Sequence, residues 1–278
     1  MRLKNVRRSQ NVQNRRGAGM TGRVGGLGLV GVLAVLAFSY FTGIDITPLL
    51  NEAPSAVQSS RPPTEAEDRA ADFSARVLGT TETVWTEIFA DQLNRPYDPP
   101  LLVLFGGVTQ SPCGGASGAT GPFYCPVDET AYLDTDFFAE LSQRFGAKGD
   151  FAAAYVIAHE VAHHVQNQLG ILGQINDLRG RASQVQANAL TVRLELQADC
   201  LAGVWSQAVG HLLDPGDLDE ALNAARMIGD DRLQRQAGRV PQPHSFTHGT
   251  SEQRARWFAT GHDSGRVEAC DTFGSDAL

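Results

Sequence analysis

The first 23 residues contain no acidic side chain, whereas Arg2, Lys4, Arg7, Arg8, Arg15, Arg16 and Arg23 all fall there. The rest of the chain is short of the opposite sign. With 23 basic and 31 acidic residues in all, removing those seven leaves 16 against 31, a net of −15. A domain so acidic excludes nucleic acid as an electrostatic partner and repels an anionic membrane surface. Cysteine is scarce, and its four copies form no C-x-x-C, which argues against a zinc ribbon. No internal repeat appears, so a solenoid or propeller is excluded. No cell-wall-binding repeat is present either.

What is present begins with an uncharged, mostly apolar run from Val24 to Thr42. As a helix its 19 residues would measure about 28 Å, close to the hydrocarbon core of a bilayer. The run exceeds the apolar region of a signal peptide, and no small-x-small site follows it closely. An uncleaved anchor is expected, with the basic N-terminus cytoplasmic by the positive-inside rule and the remainder outside the cytoplasm. The expected organisation is a basic cytoplasmic tail (1–23), a transmembrane helix (24–42), a Pro- and Ser-containing linker (43–64) and one globular domain (65–278).

Within that domain, His159-Glu160-Val161-Ala162-His163 lies in an alanine-rich apolar run that follows Gly149-Asp150 and stops near Gly170. Residues four apart share one face of a helix, so both imidazoles can grip one zinc ion. Glu160 is rotated about 100° from His159 and can take a proton from water at the same place. This spacing is the H-E-x-x-H signature of zinc peptidases. A catalytic zinc takes a third protein ligand, and Glu195 is the best candidate, with Asp199 one turn on. Asp199 can accept a hydrogen bond from the far nitrogen of a liganding histidine and so fix its ring. The sequence after His163 has no third histidine a few residues on, which sets the metzincin pattern aside. His164 lies about 140° from His159 and is read as structural.

The four cysteines fit an oxidising compartment. Three pairings of Cys113, Cys125, Cys200 and Cys270 are open. Loop closure and a C-terminal tail that needs tying favour 113 with 125 and 200 with 270; four buried free thiols are the other possibility. The fold class expected is α+β, mainly helical with a small β-ribbon. Two helices, broken near Gly79, are expected over 65–93. A strand at 101–108 is expected to form an antiparallel ribbon with one at 124–134. A short helix should end at Gly146, followed by the zinc helix capped by Asp150. Long helices are expected over 183–209, 217–234 and 252–263. The segment from Gly121 to Pro126 is the candidate for a substrate-binding edge; Tyr124 and Tyr132 fit either the site or the core.

Glu-x-x-x-Asp after H-E-x-x-H resembles the gluzincin pattern. Thr247-His248 with Arg254 is similar to the Thr-His-Pro…Arg element of membrane-linked gluzincins, with Gly249 in the Pro position. His248 would then assist catalysis by stabilising negative charge on the substrate oxygen. Taken together, GPFYCPVDETAYLD, RFGAKGDFAAAYVIAHEVAHHVQN, ELQADCLAGVW, IGDDRLQ and SFTHGTSEQRARWF resemble the neutral zinc metallopeptidase family of bacteria, as does RRSQNVQNRRG. The resemblance implies a membrane-anchored zincin with one Zn²⁺ on His159, His163 and Glu195, acting on a peptide or protein substrate that it leaves undefined. A zinc-stabilised, inactive envelope scaffold or binding protein is the alternative, and an amidase acting on cell-wall material a further one.

Overall fold

The computed structural model describes residues 1–17, 62–117, 121–143, 149–276 and 278. The expected transmembrane helix (24–42), and nearly all of the linker, lie outside them. Among the described residues no helix is long and apolar enough to cross a membrane.

The elements in order are β1 (Val12–Asn14), α1 (Glu65–Leu93), β2 (Leu101–Phe105), β3 (Val108–Ser111), β4 (Gly114–Ser117), β5 (Phe123–Cys125), β6 (Thr130–Asp134), α2 (Phe137–Gln143), α3 (Asp150–Gln168), α4 (Ile171–Arg179), α5 (Gln184–Ala208), α6 (Asp217–Met227), α7 (Asp230–Gln236) and α8 (Ser251–Ser264). Helices dominate and the sheets are small, as the α+β class requires.

The centre of the molecule is α3. Fifteen of its side chains are buried, from Phe151 round to Gln166. A helix apolar on every side belongs inside a protein. Its alanines (152, 153, 154, 158 and 162) favour the helix and let neighbours approach closely. Phe151 stacks on Trp205 of α5, with ring centroids 5.7 Å apart. The Trp205 indole N–H donates to Thr80 Oγ1 of α1 at 3.1 Å, so one side chain ties three helices together.

Several expectations need correction. Residues 65–93 form one helix of 29 residues, opened by a Thr64–Glu67 capping box and closed by Asn94 in the left-handed region. Gly79 does not break it. A Cβ there would lie 2.5 Å from the Arg7 carbonyl oxygen, so this glycine exists for close approach. Strand β2 pairs with β6 in parallel, not as an antiparallel ribbon. The antiparallel partner of β6 is β5, because the turn through Glu129 (φ 53°) folds residues 123–134 back on themselves. Gly149, not Asp150, precedes α3; the Phe151 amide donates to Glu220 Oε2 at 3.1 Å. Helix 217–234 is two helices, parted at Gly229, whose missing Cβ makes room for the Ser251 backbone.

The largest difference concerns residues 1–17, expected as a tail apart from the domain. They pack on it. Strand β1 is the edge strand of a four-stranded sheet in the order β1-β2-β6-β5, parallel to β2, with Val12 opposite Leu102. Leu3 is buried in the main core. Nothing in a polar three-residue strand announces such pairing, because the decisive contacts are distant in sequence.

Both disulfides follow the favoured pairing. Cys113–Cys125 joins the β3–β4 hairpin to β5, and Cys200–Cys270 joins α5 to the C-terminal turn.

Candidate metal centre and active site

Helices α3 and α5 build the site. α5 starts with a Ser183–Gln186 capping box, and its C-terminal half is clamped on α8. The clamp depends on two glycines. A Cβ on Gly203 would meet the Phe258 carbonyl oxygen at 2.0 Å, and one on Gly261 would meet the Cys200 carbonyl oxygen at 1.8 Å. This contact brings Arg254 of α8 to Asp199 of α5.

His159, His163 and Glu195 converge so that one ligand atom from each lies within 4.8 Å of the others. His159 Nε2 is 3.1 Å from Glu195 Oε2, and His163 Nε2 is 3.5 Å from Glu195 Oε1. Two ligands bound tetrahedrally to zinc at its usual bond lengths stand about 3.3 Å apart. The donor set and its spacing therefore fit a zinc ion. Both rings are also oriented for it. His159 Nδ1 donates to Asp199 Oδ1 at 2.9 Å, and His163 Nδ1 to Gln166 Oε1 at 2.9 Å. Held through Nδ1, each ring turns its Nε2 toward Glu195 and the cleft.

Asp199 is fully buried and is the hub behind the site. It receives Arg254 Nε at 2.9 Å and Nη2 at 3.0 Å, the Tyr155 hydroxyl at 2.5 Å and His159. Burial pushes its carboxyl up, but Arg254 and His159 more than offset that and hold it below the usual range. Burial alone would lower His159; Asp199 and Glu195 reverse the effect and carry its pKa up to about 10. Glu160, also buried, is moved the other way from Asp199: burial raises its carboxyl above the ordinary value against the pull of the two histidines.

Glu160 and the three converging residues line one cleft of about 500 Å³ with Tyr124, His248 and Arg254. Gly121, Pro122, Phe123 and Pro126 line the same cleft, which sets the segment expected as a substrate edge against the site. Tyr124 faces it, donating its hydroxyl to His164 Nδ1 at 2.9 Å. Tyr132 is instead buried, stacked on Phe123 at 5.0 Å. His164 stands apart from the converging ligands, its Nε2 donating to the Asp98 carbonyl at 2.6 Å. His248 is half exposed at the cleft wall. Its turn is pinned by Asp230, whose Oδ2 accepts the amides of Thr247, His248 and Gly249 at 2.7, 2.6 and 3.1 Å.

Two residues of this arrangement went unread in the sequence. Tyr155 lies four residues before His159, on the same helical face, and Gln166 lies three after His163. Helical spacing from a ligand was the available signal for both.

The family described as "Putative neutral zinc metallopeptidase" matches residues 1–273. The chain belongs to this neutral zinc metallopeptidase family. It is 46% identical to the uncharacterized protein YpfJ of Escherichia coli (strain K12), across 99% of both chains. An uncharacterized protein of Mycobacterium bovis is 43% identical across 73% of this chain and 71% of its own. No solved structure matches. Membership of the neutral zinc metallopeptidases agrees with a site of two imidazoles and a carboxylate.

Proposed function

We propose that this chain is a zinc-dependent metalloendopeptidase whose catalytic domain works in an oxidising compartment. The observation that carries the reading is the convergence of His159, His163 and Glu195 beside Glu160 in a cleft bounded by a sheet edge. Zinc, when bound, polarises a carbonyl and makes water acidic enough to yield a proton near neutral pH. The chain's own residues do the rest. Glu160 takes a proton from the attacking water and hands it to the leaving amine. A carboxyl raised by burial suits both halves of that task. His248, held by Asp230, donates to the oxygen on which negative charge develops. Strand β5 offers its backbone to an extended peptide, which binds as an added strand. The two disulfides support the choice of compartment.

A quenched generic peptide, tested with and without chelator, examines the proposal. Wild type should carry one zinc and lose turnover on chelation. Glu160→Gln should keep zinc and lose at least about 100-fold in turnover, the scale of a general base. Zinc-loaded wild type without turnover would favour the inactive scaffold instead, and an active Glu160→Gln would place the base elsewhere.

A further inference from the structure

Residues 1–17 carry a dense set of contacts that an unattached tail does not need. Backbone comes first. Beyond the β1–β2 pairing, the Ser9 amide donates to the Ala75 carbonyl at 2.9 Å, the Leu102 amide to Asn11 at 2.8 Å and the Arg15 amide to Leu104 at 2.7 Å. Arg76 of α1 reaches back to the carbonyls of Leu3, Lys4 and Val6, the last at 2.6 Å.

Two features of α1 make sense only with the segment in place. Glu82 is buried in mid-helix, 4% exposed, where a lone carboxylate is costly. It accepts from Arg7 at 2.8 Å, from Asn11 at 2.8 Å and from the Ser9 hydroxyl. All three come from the segment. Gly79, one turn earlier, leaves room for the Arg7 carbonyl. A helix-interior glycine weakens a helix, and a carboxylate buried in the folded domain is costly without partners; the docked segment offsets both.

The five arginines of the segment are also accounted for. Arg2 faces Asp214, Arg7 faces Glu82, Arg8 faces Asp72 and Arg16 faces Asp68. Arg15 donates to the Gln110 carbonyl at 3.2 Å and lies over the Tyr132 ring. The exposed pairs contribute little singly. Their pattern nevertheless matches a positive segment to a domain that is strongly negative without it.

We propose that residues 1–17 are a docked arm of the metallopeptidase domain, so that the arm and residues 62–276 stand on the same side of any membrane the chain meets. Two packed, hydrogen-bonded surfaces cannot be separated by a bilayer. The charge asymmetry around residues 24–42 therefore reflects complementarity to the domain, α1 above all, not a cytoplasmic tail opposite an external domain.

The test uses the full chain. All described cysteines are in disulfides, so an introduced thiol is selectively reactive. Gln10→Cys in the arm and Val240→Cys in the domain, both at exposed positions, are made separately and treated with a membrane-impermeant maleimide in intact cells, then after disruption. Same-side placement predicts that both thiols label in intact cells or that neither does. Labelling of one alone before disruption overturns the proposal. Amide exchange on the purified full chain tests the docking itself. The Ser9 and Arg15 amides should be protected at least about 100-fold in wild type and lose that protection in Gly79→Val, while amides of α5 stay protected. Unprotected Ser9 and Arg15 amides in wild type would overturn it.

Discussion

The residue that organises this site is Asp199, which lies buried behind the cleft lining. It holds His159 by one ring nitrogen and is itself held by Arg254 and Tyr155. Arg254 is 2% exposed and Asp199 is wholly buried, so removing the cation strands a charge in the interior. Breaking such a pair costs about 3–5 kcal/mol, far more than a surface pair contributes. Arg254→Met should therefore destabilise the fold by that order in denaturant unfolding and weaken zinc affinity as well. Arg254→Lys should recover only part of both, because an ammonium cannot reproduce the two-pronged contact. Unchanged stability in Arg254→Met would show that the pair is not what steadies His159. The convergence of His159, His163 and Glu195 was legible, since H-E-x-x-H and Glu-x-x-x-Asp state their spacing outright. Tyr155 and Gln166 were not, because Tyr and Gln inside an apolar helix have many commoner uses than orienting a ligand.

At the scale of elements, α5 carries Glu195, the candidate metal carboxylate, and the C-terminal segment braces it. Cys200 is joined to Cys270, Gln197 Nε2 donates to the Cys270 carbonyl at 3.0 Å, and Thr272 Oγ1 donates to the Arg193 carbonyl at 2.7 Å. The bridge spans 70 residues, and restricting the unfolded chain over such a loop contributes about 4 kcal/mol. Cys270→Ser should lower the melting temperature and weaken zinc retention together, because one brace serves both. Calorimetry and metal analysis of the same preparation check it; a loss of stability with zinc retention intact would separate the two. Capped, amphipathic helices such as α5 and α8 were readable from local sequence to within a residue or two. Strand partners were not. Whether β2 pairs with β6 in parallel, or with β1 at all, depends on contacts between segments that carry no matching local code.

For the molecule as a whole, packing is organised around the buried helix α3. The central helix α3 meets α1 on one side and α5 and α6 on others, and the sheet closes one end. The arm 1–17 adds β1 to that sheet beside β2, a placement invisible in the sequence. The family of the molecule and the convergence of His159, His163 and Glu195 were legible because a zinc signature constrains residue type and spacing tightly. The arm was not, because surface complementarity constrains only the sum of many weak contacts. The same contrast bears on what metal removal does. Zinc would join α3 to α5, but the Phe151–Trp205 stack and the Tyr155–Asp199 hydrogen bond hold those helices together as well. On the proposed function the metal would be a catalytic element laid on a fold that stands without it. At free zinc one hundred times the dissociation constant, binding adds about 2.7 kcal/mol. For a domain of this size that corresponds to roughly 5–10 °C in melting temperature. Chelation should lower the transition by that amount while the far-ultraviolet circular dichroism at 25 °C keeps its helical form. Collapse of the helical signal on chelation would instead make zinc structural, since a fold that needs its metal cannot survive losing it.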